Sequence, residues 1–314
     1  MPLALNPPVP PQLARSRARL PEGEGWAYEP KWDGFRAIAF VDGGDVFLQS
    51  RNGRPLRRYF PELRFPEGRY VLDGEIVIFG ENDIQLFDVL GQRIHPAKSR
   101  IDMLAEQTPA KFIAFDLLAR DETKLLDKPF RERRRALEAL VAEPVDLTPW
   151  TDDPAEAEPW LRGAEGVIAK ELDAPYRPGE RTGMVKIKRV RTIDAVVLGW
   201  RPGKEEGTVG SLILALYQDD GELRVVGHTS GFSAAEKRAL VTKLGPYETG
   251  ERGTGEPSRW ASDRELEWRA LRPELVVEVT FDHVSEGRIR HGAKIQRWRE
   301  DKDPRECTIA QLDQ

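Results

Sequence analysis

The residue with the clearest chemical potential is Lys31, in the string Glu29-Pro30-Lys31-Trp32-Asp33-Gly34-Phe35-Arg36. A lysine near its ordinary pKa of about 10.4 is protonated and inert at neutral pH. It attacks only where burial, nearby cations or a metal lowers that pKa. Groups able to do this follow in order along the chain. Ser50-Arg51 comes first, then Leu72-Asp73-Gly74-Glu75, then Phe115-Asp116. Glu165-Gly166 opens a string that ends at Lys170, and Met184-Val185-Lys186-Ile187-Lys188 places two lysines two residues apart. In a strand that spacing puts both on one face, where they suit a phosphate and the charge that grows on it. Arg299-Glu300-Asp301-Lys302 closes the set near the C-terminus. Taken singly, each string also reads as a turn, a core residue or a solvated strand face.

These residues need elements to hold them. Residues 35–49 are two apolar runs around Asp42-Gly43-Gly44-Asp45, a hairpin signal. Residues 69–79 read as two short strands meeting near Asp73-Gly74, and 111–118 as a buried strand. Helices are predicted over 131–142 and 154–162, and a strand over 166–170. The first 20 residues are Pro-rich and predict an irregular surface segment. From about Lys188 the pattern changes. Strands are predicted at 194–200, 210–217, 222–228, 274–282 and around 288–295. A helix at 233–244 has Ser233 as N-cap and Gly245 as its stop. Residues 246–265 read as a loop. The expectation is an α+β chain: a β-rich domain over 1–188, then a small Greek-key barrel of the OB type over 189–314.

Composition narrows the classes. The 314 residues exceed what one hydrophobic core usually organises. One cysteine, Cys307, excludes a disulfide framework within the chain, and no motif includes it. The histidines (His95, His228, His283, His291) lack zinc-site spacing. No apolar stretch approaches the roughly 20 residues that span a bilayer, and no secretory pattern opens the chain. A soluble, cytoplasmic protein is expected, with no membrane association. The net charge of −5 speaks against a polyanionic partner. Yet Arg181–Arg191 holds five basic residues and no acid, and Arg288–Arg305 holds seven against three.

As an ordered set, these motifs resemble the covalent nucleotidyltransferase superfamily, and within it the ATP-dependent DNA ligases. The strings PPVPPQLA (7–14), RYFPEL (58–63), QRIHPAKSR (92–100), FIAFDLL (112–118) and ELVVEVTFDH (274–283) look most like the bacterial ligase C group. That group is a nucleotidyltransferase (adenylation) domain of antiparallel sheets with helices, followed by an OB domain. Nothing in the chain resembles an added N-terminal DNA-binding domain, a zinc finger or a BRCT module.

The resemblance implies a reaction through lysyl-AMP and AMP–DNA intermediates. By motif match, Lys31 is the nucleophile and Asp33 orients the 3′-hydroxyl or a metal-bound water. Arg36 holds the AMP ribose, Glu75 accepts from a ribose hydroxyl and takes part in metal binding, and Phe115 stacks on adenine. Backbone near Glu29 would help select the base, while Glu165 binds the metal, Mg²⁺ or Mn²⁺. Lys186 and Lys188 contact the α-phosphate, and Asp301 and Lys302 orient the pyrophosphate. Arg51, with Ser50, grips the 5′-phosphate of nicked duplex DNA, and Arg189 and Arg191 lie near the hinge on the nucleic-acid side. A monomer in the nucleoid is expected, recruited to repair by a primase–polymerase or end-binding partner. The alternatives are an RNA ligase or other polynucleotide nucleotidyltransferase, and, in a different class, a non-catalytic OB-containing DNA-binding protein.

Overall fold

The computed structural model describes residues 3–188, 191–255, 266–281, 284–285, 287–289 and 292–313. Two units emerge, Met1–Arg189 and Val190–Gln314.

In the first unit the strands are β1 (Trp26–Pro30), β2 (Phe35–Gly43), β3 (Asp45–Ser50), β4 (Gly68–Val77), β5 (Lys111–Arg120), β6 (Gly166–Glu171) and β7 (Met184–Lys188). The helices are α1 (Phe87–Gly91), α2 (Lys98–Gln107), α3 (Phe130–Glu138) and α4 (Pro154–Gly163). One sheet runs from the two-residue strand Arg15–Ser16 through β7 and β6 to β1. The other runs β3-β2-β4-β5 and ends on Thr123–Lys124. Only residues 31–34 separate β1 from β2, so the Lys-x-Asp-Gly string is the crossing between sheets. Gly34 permits it: a Cβ there would lie 2.2 Å from the Ile76 carbonyl oxygen of β4.

The β2–β3 hairpin forms as expected around Gly43 at φ 63°, a conformation glycine adopts without steric cost. Residues 69–79 differ from expectation. They form one strand, β4, with register shifts between Val71 and Leu72 and between Asp73 and Gly74. Asp and Gly read as a turn, but here they mark a bulge inside a strand paired on both sides. Residues 87–91 and 98–107 form helices without a marked apolar periodicity in the sequence. The irregular N-terminal segment is partly ordered as a strand, because Arg15–Ser16 adds in parallel to the edge of β7.

The second unit contains β8 (Arg191–Pro202), β9 (Val209–Tyr217), β10 (Leu223–Thr229), α5 (Ala234–Leu244), β11 (Glu248–Gly255), β12 (Leu266–Leu271), β13 (Val276–Phe281) and β14 (Lys294–Trp298). Long β8 pairs with β9 on one side, and with β13 and then β12 on the other. Strand β14 pairs with β13, and a parallel bridge from Ala293 to Thr229 returns the sheet to β10. This is the ring closure of a small OB-type barrel. Its interior is aliphatic, including Val196, Leu214, Val226, Leu244 and Val277. Helix α5 opens with a capping box between Ser233 and Glu236, as the sequence predicts. The loop expected over 246–265 is corrected in its first part: residues 248–255 form β11, paired with β12. Gly, Glu and Arg have low strand propensity, but cross-strand pairing overrides it. Residues 256–265 lie outside the described residues.

One buried cation ties together the loops of the first unit. Arg93 is fully buried and holds Glu62 at 2.8 Å. It also donates to the Tyr59 carbonyl at 2.9 Å and the Thr108 carbonyl at 3.3 Å. Arg93→Met should leave the Glu62 carboxylate without its cation and lower stability by about 3–5 kcal/mol in urea unfolding. Arg93→Met/Glu62→Gln should recover part of that loss.

Candidate active site

Lys31 stands one residue beyond the end of β1, and its backbone N–H donates to the Gly166 carbonyl at 2.9 Å. Gly166 has φ 144°, and a Cβ there would lie 2.1 Å from the Ile187 carbonyl oxygen. Only glycine allows β1, β6 and β7 to meet this closely. The contact explains why Lys31, Glu165 and Lys188 converge. The Lys31 ammonium is bonded directly to Glu165. Lys188 Nζ reaches the other Glu165 oxygen at 3.2 Å.

The electrostatics follow from burial. Burial pushes the Lys31 amine down to about 8, and Lys188 and Lys186 push the same way. The Glu75 and Asp33 carboxylates oppose them. Burial likewise raises Glu75 to about 7, against the pull of Arg36 and Lys31. The site therefore brings together an amine pushed down and a carboxyl pushed up toward neutrality, both chiefly by burial.

A solvent-open cavity adjoins Lys31, lined among others by Glu29, Arg36, Arg51, Glu75, Phe115 and Lys186. Cross-strand register places Arg36 opposite Glu75 on β2 and β4. Arg36 grips Asp73 with two bonds of 2.6 Å, and its guanidinium lies 4.5 Å from the Phe115 ring centre. Burial opposes charge on Arg36, but Asp73 more than compensates and raises its pKa.

The remaining expected residues are placed as follows. Asp33 donates its backbone N–H to Gln85 at 2.6 Å. Ser50 Oγ accepts from the Arg54 N–H at 3.0 Å, so that hydroxyl shapes a turn. Asp301 and Lys302 belong to the second unit. Asp301 takes two bonds of 2.9 Å from Arg299, whose hydrogen bonds hold its pKa down to about 2. Lys302 pairs with Glu306. Arg191 begins β8 and donates to the Leu312 carbonyl at 3.5 Å. Arg189 lies outside the described residues.

The roles of several supporting residues escape sequence reasoning. Lys170 is buried, pairs with Glu29 at 2.8 Å and donates to the Phe115 carbonyl at 3.0 Å. It thereby ties the β5 backbone to the Glu29 carboxylate, and its ammonium lies 4.9 Å from the Phe115 ring centre. A lysine directly after the apolar run 166–169 is the available signal, since a charge buried with that strand needs a partner. Tyr176 donates to Asp73 at 2.6 Å, and the Gln12 N–H donates to the Tyr176 hydroxyl at 2.9 Å. In the second unit Asp194 accepts from Arg299 at 2.9 and 3.0 Å. These pairings join distant segments, and no local spacing announces them.

Chemically, the arrangement offers an amine with a lowered pKa, lysines for a phosphoryl group and an aromatic ring for a base. Among the described residues, no three carboxylates, histidines or cysteines cluster as a metal cage. Glu165 and Glu75 provide hard oxygen donors of the kind that hold Mg²⁺ when substrate phosphates and water complete its shell.

Comparison with known proteins gives matches over most of the chain. Residues 11–188 match the family model "ATP dependent DNA ligase domain", and 205–302 match "ATP dependent DNA ligase C terminal region". The chain is 48% identical over 340 residues to DNA ligase C1 of Mycolicibacterium smegmatis, covering 100% of this chain and 96% of that protein. It is 45% identical over 348 residues to DNA ligase C of Mycobacterium tuberculosis, with the same coverage of 100% and 96%. A solved structure of a mycobacterial DNA ligase D complexed with ATP and MES superposes with a TM-score of 0.54 at 31% identity, covering 96% of this chain and 98% of that one.

The titration of Lys31 can be read directly. Its acylation by an amine-reactive reagent, followed by peptide mass spectrometry, should show a midpoint near pH 8. Lys188 lowers that value, so Lys188→Gln should move the midpoint to higher pH.

Proposed function

Because this chain belongs to the ATP-dependent DNA ligases, we propose how its own residues divide the work of sealing a nick between a 5′-phosphate and a 3′-hydroxyl. The observation that carries the reading is the partly buried Lys31 amine, lowered to about 8 and flanked by Lys186, Lys188 and Glu165. In the first step its nitrogen attacks the α-phosphorus of ATP. An N–P bond forms as the bond to pyrophosphate breaks, giving lysyl-AMP. In the second step an oxygen of the DNA 5′-phosphate takes the AMP and the N–P bond breaks. In the third the 3′-hydroxyl attacks the activated 5′-phosphorus, and AMP leaves. Catalysis of such transfers is mainly positioning and charge neutralisation.

Phe115 would offer its ring to adenine, on a backbone anchored by the Lys170 bond to its carbonyl. Glu29 would help choose the base from beside it. Arg36, locked by Asp73, and Glu75 on the facing strand would take the ribose hydroxyls. Lys186 and Lys188 would meet the α-phosphate, and Arg51 at the cavity wall would grip the 5′-phosphate of the nick. Mg²⁺ or Mn²⁺, held by Glu165 and Glu75, would supply charge neutralisation for the phosphates. At rest Glu165 binds the Lys31 ammonium. Once Glu165 turns to another cation, the amine loses the partner that favours its protonated form.

Asp301 and Lys302 would orient the pyrophosphate, so the second unit must close on the nucleotide in step one and withdraw for DNA. Asp33, Ser50 and Arg191 would act on the DNA side, with Arg189 at the hinge. The cellular setting proposed is nucleoid repair by a monomer, recruited by a primase–polymerase or end-binding partner.

The decisive experiment is sealing of a nicked duplex with ATP beside dATP, GTP and NAD. Incubation with α-labelled ATP and metal should label the protein, and Lys31→Ala should abolish both label and sealing. Normal labelling of that variant would remove Lys31 as nucleophile. Asp301→Ala should slow labelling at least about tenfold, which is about 1.4 kcal/mol of barrier. It should affect sealing of pre-adenylated nicks much less, and equal losses would dismiss its step-one role.

A further inference from the structure

The N-terminal segment forms a pinned strap on the first unit. The Val9 N–H and carbonyl bond the Gln49 side chain at 2.9 and 2.7 Å. Gln12 joins Tyr176 and Arg177, and the Leu13 N–H donates to the Glu180 carbonyl at 2.8 Å. Ser16 then pairs opposite Lys186, and the Arg17 N–H donates to the Lys186 carbonyl at 3.0 Å. The strap therefore ends as an added strand on the edge of the sheet that carries Lys186 and Lys188.

That end carries Arg15, Arg17 and Arg19, all exposed, in a stretch where residues 1–21 contain no acid. None of the three makes an ion pair among the described residues. The C-terminal basic run differs. Arg297 pairs with Glu278, Arg299 with Asp194 and Asp301, and Lys302 with Glu306. Three of its seven cations are thus paired inside the second unit. Ser16 shares a face with Lys186, so Arg15 and Arg17 carry positive charge around the sheet edge from the phosphate lysines.

We propose that Arg15, Arg17 and Arg19 form a binding site for the phosphate backbone of duplex DNA beside the nick. The inference rests on the ligase reading above. Arginine forks match phosphate geometry. Backbone pairing of the strap holds Arg15 and Arg17 in place before DNA arrives, which lowers the ordering cost of contact. The bland role for charge on an edge strand is to block pairing with other chains. Such a role has no reason to affect DNA affinity.

The test compares the wild-type chain with Arg15→Gln/Arg17→Gln/Arg19→Gln. Binding to a nicked duplex is followed by fluorescence anisotropy in EDTA, over about 50 to 300 mM salt. Labelling with ATP should proceed at the wild-type rate. The plot of log affinity against log salt should lose about 2–3 units of slope, each phosphate contact contributing about 0.9. Affinity at moderate salt should fall by roughly tenfold or more. The corresponding triple lysine variant should restore most of the slope. Unchanged slope and affinity would overturn the proposal. So would a parallel loss of ATP labelling, which would make the strap merely a wall of the nucleotide cavity. If the wild-type chain itself fails to seal the nick, the ligase reading falls instead.

Discussion

The structure depends on holding one partly buried amine among lysines and carboxylates. Lys31 sits where the chain passes from one sheet to the other, and neither sheet alone could surround it. The first supplies Glu165, Lys186 and Lys188 from β6, β7 and their approach. The second supplies Glu75 and Phe115 from β4 and β5. Burial disfavours the ammonium, and the neighbouring lysines add to that effect. Without carboxylates the lysines would repel one another, and without lysines the carboxylates would hold the ammonium charged. The cluster is poised because both are present in one desolvated space.

Such a cluster needs a stiff frame, and the frame is itself ionic. Arg133 bonds Asp116 at 2.8 and 3.0 Å, with both side chains almost wholly buried. Lys170 and Arg134 converge on Glu29 at 2.8 and 3.5 Å. Arg36, Asp73 and Tyr176 form a third linked group. An apolar core could give equal stability. It could not fix the directions of the Glu29 carboxylate and the Arg36 guanidinium, because dispersion contacts have no directional preference. Helix α3 shows the consequence, burying two arginines along with Phe130 and Leu137. The apolar residues announce the helix, but not that Arg133 and Arg134 lie on its inner face.

Legibility in the sequence follows the same division. The β2–β3 hairpin, β5, α4 and α5 were readable because turn residues, alternation and caps are local signals. The ordered motifs were readable because their chemistry demands particular residue types. Strand β4 was read as two, since Asp73-Gly74 looks like a turn until two neighbours pair across it. Strand β11 was missed because Glu248–Gly255 has little strand propensity of its own. The roles of Lys170, Asp73, Tyr176 and Asp194 are not legible because each acts through a partner tens to more than a hundred residues away. The order of the strap is hidden for the same reason: it comes from Gln49, Tyr176 and Lys186, not from its own prolines.

The net charge of −5 illustrates why totals mislead. At physiological salt, exposed charges act over only about 8 Å. A polyanion therefore meets local sets of cations, and paired cations contribute little to that meeting. By this measure a basic run in the sequence is not yet a basic surface. Arg297, Arg299 and Lys302 face carboxylates of their own unit. Arg15, Arg17 and Arg19 have no such neighbours among the described residues and lie beside the strand that carries Lys186. Unpaired charge on a backbone pinned to the sheet edge is worth more to such a meeting than a longer run in which cations are paired. An acidic chain can thus hold an acidic polymer, provided its few uncompensated cations are gathered at one edge.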